Sequence, residues 1–159
     1  MKAFILSMIL FVSMAVWITP DPASPAQVGP PLRNHGVPVY HDHPPAAPVP
    51  ETLDPGQFKE NRAAFVVYTL AARIKETLYQ IPCYCPCNKH LGHESLLDCY
   101  TSTHGVGCQT CQREVLFCFL KRKKDPAWLR EQIAKGAASK LDLAKSIDRF
   151  YQQLEHADR

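Results

Sequence analysis

Three cysteines occupy alternate positions of one short segment of this sequence. Single residues separate Cys83, Cys85 and Cys87, and alternate side chains of an extended segment point to the same side. A disulfide needs a Cα separation of about 4.4–6.8 Å and particular Cβ directions, so cysteines at this spacing do not readily bond to one another. Three converging thiolates instead favour a soft metal ion.

A second group of thiol and imidazole side chains follows along the chain. Cys108 and Cys111 share one face at the predicted start of a helix. The free amides and the helix dipole at such a position lower the pKa of a thiol, which aids both metal binding and nucleophilic attack. His104 precedes this pair, and Gly105 and Gly107 are expected to let the chain turn the imidazole toward the same site.

His93 and Cys99 complete the candidate ligand set. Both are expected on a short helix over 93–102, which a short connection would make a neighbour of the helix beginning at Cys108. The candidate metal ligands are Cys83, Cys85, Cys87, His93, Cys99, His104, Cys108 and Cys111. These residues exceed the four ligands of one tetrahedral site, so they suit a polynuclear thiolate cluster or one site with spare thiols. Cys118 is expected to be a buried apolar thiol outside this set.

Three functions remain open for this constellation. The first is metal binding for sequestration or delivery rather than catalysis, with Cu(I) expected first because soft thiolates select it, and Zn(II) second. The second is thiol–disulfide redox chemistry at Cys108 and Cys111, although the strand-containing context of a thioredoxin-like fold is missing. The third is a disulfide-stapled structural or interaction domain, with bridges from Cys83, Cys85 and Cys87 to Cys99, Cys108 and Cys111.

The segment from Ile81 to Cys111 resembles a bacterial family of exported proteins with a Cys-Tyr-Cys-x-Cys motif, also described by a Pro-Cys-Tyr-Cys-Gly-Cys motif. The matching residues are Pro82-Cys83-Tyr84-Cys85-Pro86-Cys87, Gly92-His93-Glu94-Ser95-Leu96, Asp98-Cys99-Tyr100, His104-Gly105 and Cys108-x-x-Cys111-x-x-Glu114. Because some members of this functionally uncharacterised family are described as selenoproteins, the resemblance implies redox chemistry or soft-metal binding. Pro86 stands where many relatives have glycine, and no cysteine precedes Cys83 to carry the lipid of lipoprotein-like relatives.

The elements that position these residues are predicted to be helical. Apolar residues at steps of three or four predict a first helix from Gln57 to Gln80, which Pro82 ends. Asp125 and Pro126 are typical of a helix start. The other predicted helices cover 93–102, 108–121, 127–135 and 141–154. The predicted fold class is therefore all-α, a small domain of about four to five helices with an irregular cysteine-rich loop.

Composition divides the 159 residues into three parts. Residues 1–26 combine one lysine with an apolar run, which predicts a signal peptide; the run over 3–19 also matches the shortest membrane anchors. Eleven of the 14 prolines lie between Pro20 and Pro55, which predicts a disordered linker over 27–56. Residues 57–159 form the predicted helical domain. We expect an exported location, periplasmic or extracytoplasmic, where disulfides can form.

Charge and motifs exclude several function classes. The net charge is +3, and the basic run over 121–124 lies at the predicted C-terminal end of a helix, where it favours the helix dipole. We therefore expect no nucleic-acid partner. The sequence contains no nucleotide-binding glycine motif, and about 100 residues of domain are too few for a large enzyme. The expected partners are a metal ion and another exported metal or thiol carrier protein, with membrane contact only through an uncleaved N-terminus.

Overall fold

A computed structural model describes residues 36–157 of this chain, and these residues form helices joined by short connections. The helices are α1 (Arg62–Ala72), α2 (Lys75–Tyr79), α3 (Cys87–His90), α4 (His104–Gly107), α5 (Gln109–Leu120), α6 (Pro126–Ala134) and α7 (Leu143–Ala157). Short 3-10 turns lie at Pro55–Phe58, Leu97–Cys99 and Ala138–Lys140. The described residues contain no β-strand, so the all-α prediction is confirmed.

The predicted first helix, Gln57 to Gln80, is interrupted in the structure. α1 begins after Asn61, whose side chain accepts a hydrogen bond from the Ala64 N–H at 3.1 Å. It ends before Ile74, whose backbone leaves the helical region at φ −135° and ψ 27°. Ile74 is nevertheless buried. The apolar spacing therefore continues across the break, which is why periodicity alone predicts one uninterrupted helix.

The predicted helix over 93–102 is replaced by an irregular loop around the 3-10 turn Leu97–Cys99. The Asp98 carboxylate accepts hydrogen bonds from the N–H groups of Glu94 and Ser95, at 2.7 and 3.0 Å. Such local bonding offers the backbone an alternative to a helix. The glycines at 105 and 107, expected to break the chain, instead lie within the single turn of α4.

The later helices agree with the predictions at their N-terminal ends. Cys108 is the extended N-cap residue of α5. The Asp125 carboxylate accepts a hydrogen bond from the Ala127 N–H at 2.7 Å, and Pro126 is the first residue of α6. The capping signal of Asp125 and Pro126 therefore placed the start of α6 correctly, whereas α5 begins at the predicted position without a side-chain cap.

Two buried tyrosines connect the helical core to the loops that carry the cysteines. The Tyr68 hydroxyl on α1 donates a hydrogen bond to the Ser102 carbonyl at 2.5 Å. The Tyr100 hydroxyl donates to the Cys111 carbonyl on α5 at 2.8 Å. The two rings pack edge to face with centroids 5.1 Å apart. The loop over 99–102 is thereby fixed against both α1 and α5.

The described part of the proline-rich segment, residues 36–56, lies against the helical domain. Val39 and Val49 are buried. The His41 ring stacks on Tyr79 with centroids 3.9 Å apart. The sequence predicts disorder here because isolated apolar residues among prolines have no periodicity that would indicate burial.

The predicted signal peptide or anchor lies outside the described residues. Within residues 36–157, none of the helices has both the length and the apolar character needed to span a bilayer.

The close approach of Gly105 to Tyr100 makes one testable packing prediction. A Cβ atom at Gly105 would lie 2.8 Å from Tyr100 Cε1 and 3.1 Å from the Cys99 carbonyl oxygen. We expect Gly105→Ala to lower the free energy of unfolding by about 1–3 kcal/mol, because the added methyl group would displace the tightly packed Tyr100 ring. Urea unfolding followed by circular dichroism measures this change.

Gly107→Ala is the matched control, because a Cβ atom there meets nothing within 4 Å. We expect it to be neutral, or to stabilise the protein by at most about 1 kcal/mol. Equal unfolding midpoints for the two variants would contradict the packing described around Tyr100.

Candidate metal centre

The structure brings the eight candidate ligands together from five short stretches of chain. Cys83 and Cys85 lie on the loop that follows α2, and Cys87 is the first residue of α3. His93 follows α3, Cys99 ends a 3-10 turn and His104 begins α4. Cys108 and Cys111 lie at the start of α5. Most of the donors thus lie on loops or at helix ends, whereas Cys111 lies within the longer helix α5.

Four cysteines form the first group of donor atoms. The sulfur atoms of Cys83, Cys85, Cys87 and Cys99 all lie within 4.8 Å of one another, and all four residues are buried. Cys83 Sγ lies 3.3 Å from Cys85 Sγ, and Cys87 Sγ lies 3.8 Å from Cys99 Sγ. Tetrahedral zinc with bonds of about 2.3 Å places its sulfurs about 3.8 Å apart. The group therefore has nearly the dimensions of a tetrahedral thiolate site.

A second group of four donors combines three sulfurs with one imidazole. It consists of Cys85, His104, Cys108 and Cys111, again with ligand atoms within 4.8 Å of one another. Cys85 Sγ lies 3.3 Å from His104 Nε2 and 3.6 Å from Cys111 Sγ. Cys108 and His104 are half-buried, so this group is the more accessible of the two. Cys85 belongs to both groups.

His93 lies beside the first group rather than within either group. Its Nδ1 atom is 3.4 Å from Cys99 Sγ, and its ring packs edge to face on His104 with centroids 5.4 Å apart. This position suits a hydrogen bond to a ligating sulfur, the usual arrangement around metal–thiolate sites. That His93 itself ligates a metal stays a prediction.

Every cysteine in the structure is a free thiol. Within the cluster, Cys83 Sγ is 3.3 Å from Cys111 Sγ, well beyond the length of about 2.05 Å of a disulfide bond. Cys118 is fully buried and belongs to neither donor group. The prediction that Cys118 is an apolar core residue is therefore confirmed, and burial raises the pKa of its thiol.

Hydrogen bonds between the thiols divide them into two electrostatic classes. Bonds from Cys83 and Cys99 lower the pKa of Cys111 to about 3, and bonds from the same two residues lower the pKa of Cys87. The pKa values of Cys83 and Cys99 are raised, chiefly by their hydrogen bonds to Cys111. Neighbouring thiols in the cluster therefore share protons, and the ionisation of one thiol disfavours that of the next.

The cluster thiols also shift the pKa of the neighbouring His104 imidazole. Burial lowers this pKa, but the hydrogen bond with Cys85 and the charges of the cluster thiols together raise it by more, so the net shift is upward. The site therefore attracts positive charge, whether a proton or a cation.

Glu114 is a buried residue of the site to which residue spacing assigns no role. It lies one turn after Cys111 on α5 and is only 2% exposed. Its Oε1 accepts a hydrogen bond from the Tyr84 N–H at 3.0 Å, which fixes the backbone between Cys83 and Cys85. Its Oε2 has no hydrogen-bond partner among the described residues. The sequence contains one indication of this role, because Glu114 lies three residues after Cys111 and therefore on the same face of the helix.

Comparison with known proteins identifies a family but no function. A family model for a protein of unknown function with the PCYCGC motif matches residues 49–153. No curated protein matches the chain, and no solved structure does.

The buried Glu114 carboxyl predicts a pH dependence of stability. Burial raises its pKa from 4.5 to about 8. A group whose pKa is raised on folding contributes stability below its unfolded pKa and loses it as the pH rises through the folded value. We expect Glu114→Gln to remove this loss. Between pH 4.5 and pH 8 the free energy of unfolding of the variant should therefore rise relative to that of the wild type, by at most about 5 kcal/mol.

Urea unfolding of the reduced, metal-free protein across this pH range measures the effect. Glu60→Gln is the control, because Glu60 is exposed. Parallel pH profiles for the wild type and Glu114→Gln would show that the Glu114 carboxyl does not titrate between its unfolded pKa and pH 8.

Proposed function

The chain belongs to the PCYCGC-motif family, whose function is unknown, and we propose that it binds a soft metal ion through its clustered thiols. One observation carries this proposal. Two overlapping groups of four Cys or His donors each lie within 4.8 Å, and both include Cys85. Four convergent donors, mostly sulfur, are typical of tetrahedral thiolate sites.

The burial of the sulfurs supports the same proposal. Cys83, Cys85 and Cys87 are 3–6% exposed, and Cys99 and Cys111 are fully buried. Burying several ionisable groups side by side is costly unless each charge is compensated. A metal ion bound by deprotonated thiols supplies that compensation, and its binding energy then adds to the free energy of folding.

The softness of the donors orders the candidate metals. Sulfur ligands select Cu(I), which we expect first, and Zn(II), which we expect second. The four-donor groups also match the tetrahedral preference of Zn(II). We further propose that the protein is exported and that it sequesters the ion or delivers it to another exported carrier protein, because no feature of the cluster requires a catalytic reaction.

A disulfide-stapled domain is the second candidate, and one observation favours it. The sulfurs also divide into three separate neighbouring pairs. Cys83 and Cys111 lie 3.3 Å apart, and Cys87 and Cys99 lie 3.8 Å apart. Cys85 and Cys108 lie within 4.8 Å. An oxidising compartment could close these pairs into disulfides that hold the loops in place.

The geometry gives less support to a redox role for Cys108 and Cys111. An attacking thiol needs to be accessible and to have a low pKa. Here burial raises the pKa of the more accessible Cys108 to about 12. Hydrogen bonds from Cys83 and Cys99 lower the pKa of Cys111, but this thiol is fully buried and cannot reach a partner.

Metal content and thiol titration together distinguish these functions. We expect the full-length chain, purified without oxygen, to retain near-stoichiometric copper or zinc. Chelation should then make the six cluster thiols reactive, because the metal no longer protects them. The measurements are elemental analysis and a thiol assay under denaturing conditions, before and after chelation.

Matched variants locate the metal within the cluster. We expect Cys87→Ser to lower the metal affinity at least 10-fold, because it removes a sulfur donor. Cys118→Ala is the control and should bind metal normally, because Cys118 lies outside both donor groups. A metal-free protein in which Cys118 is the single reactive thiol would contradict metal binding and support the disulfide-stapled domain.

A further inference from the structure

We propose, on the premise that the chain binds metal, that the cluster is a binuclear centre in which the Cys85 sulfur bridges two ions. The first ion is bound by Cys83, Cys85, Cys87 and Cys99. The second is bound by Cys85, His104, Cys108 and Cys111. The first site is then all-thiolate and the second has three sulfurs and one imidazole nitrogen.

The number of convergent donors favours two ions over one. One tetrahedral ion takes four ligands, and it would leave three of the seven grouped residues without a metal. Whichever four were chosen, at least one buried thiol would remain without a cation, because five cysteines of the cluster are buried. Two ions that share one sulfur use every donor in both groups and leave each ion four-coordinate.

The position of Cys85 fits a bridging ligand. Its sulfur lies 3.3 Å from Cys83 Sγ in the first group and 3.6 Å from Cys111 Sγ in the second. On the second side it also lies 3.3 Å from His104 Nε2. No other residue belongs to both groups. A thiolate has more than one lone pair, so a sulfur between two donor groups can bind an ion on each side.

The chain around Cys85 keeps this sulfur in place. Pro86 follows Cys85 directly, and a proline restricts the preceding residue to extended backbone. The Tyr84 N–H on the other side is held by Glu114 Oε1 at 3.0 Å. The bridging residue is therefore constrained from both neighbours, whereas Cys108 at the rim of the second group is half-buried.

Cobalt(II) is a suitable probe because it adopts tetrahedral thiolate coordination and is paramagnetic. We expect the reduced full-length chain to bind two equivalents without oxygen, with sulfur-to-cobalt charge-transfer absorption rising through the second equivalent. The electron paramagnetic resonance signal per cobalt should fall as the second site fills, because a shared sulfur couples the two spins.

Variants assign each ion to its donor group. Cys108→Ser should reduce the stoichiometry from two to one and remove the spin coupling, because it opens the second, more accessible group. Cys99→Ser should do the same for the first group. Cys85→Ser should abolish the coupling whatever cobalt it retains. Cys118→Ala should keep two coupled ions.

The outcomes separate this inference from metal binding itself. A wild-type chain that binds one equivalent, unchanged by Cys108→Ser, would overturn the binuclear centre and leave the proposed metal binding intact. Two equivalents without spin coupling, or coupling that survives in Cys85→Ser, would overturn the bridge. A chain that binds no cobalt would overturn the binuclear centre, and one that also retains neither copper nor zinc would overturn the proposed metal binding. The wild-type coupling needs no substitution, so a variant that fails to fold cannot hide the result.

Discussion

The close packing of six thiols in a mostly buried space is the constraint on which the rest of this structure depends. Five of the sulfurs lie 3.3–3.8 Å from a neighbouring sulfur, and Cys108 Sγ lies within 4.8 Å of two others. Several negative charges therefore cannot coexist there without protons or a cation between them. The hydrogen bonds among the thiols show how the protein meets this condition without a metal. A soft cation would meet it by replacing the shared protons.

The helical scaffold holds these loops where they have little regular structure of their own. α5 carries Cys111 and Glu114 on one face, and Glu114 in turn holds the backbone between two cysteines of the cluster, Cys83 and Cys85. Tyr100 fixes the Cys111 carbonyl from the opposite loop, and its ring leaves no room for a side chain at Gly105. The positions of the donors therefore follow from a few buried polar contacts to the core rather than from the short helices that carry them.

The sequence predicts the parts of this molecule that depend on local signals. The capping residue Asp125 and the following proline mark the start of α6, and the cysteine spacing identifies the donors that converge. Three features do not follow from the apolar pattern of the sequence and were not predicted. The backbone breaks at Ile74 while the apolar pattern continues. The Asp98 carboxylate accepts hydrogen bonds from the N–H groups of Glu94 and Ser95, and a loop forms where a helix was predicted. The segment over 36–56 packs through isolated valines, which no periodic pattern reveals.

X-ray absorption at the metal edge of the full-length chain, purified without oxygen and loaded with zinc, tests the central claim most directly. Soft-metal binding by the thiol cluster predicts a first shell dominated by sulfur at about 2.3 Å, with a minor nitrogen contribution at about 2.0–2.1 Å. The sulfur share should fall when a cluster cysteine is replaced by serine and should stay unchanged in Cys118→Ala. A first shell made only of oxygen and nitrogen, or a chain that retains neither zinc nor Cu(I), would contradict the account.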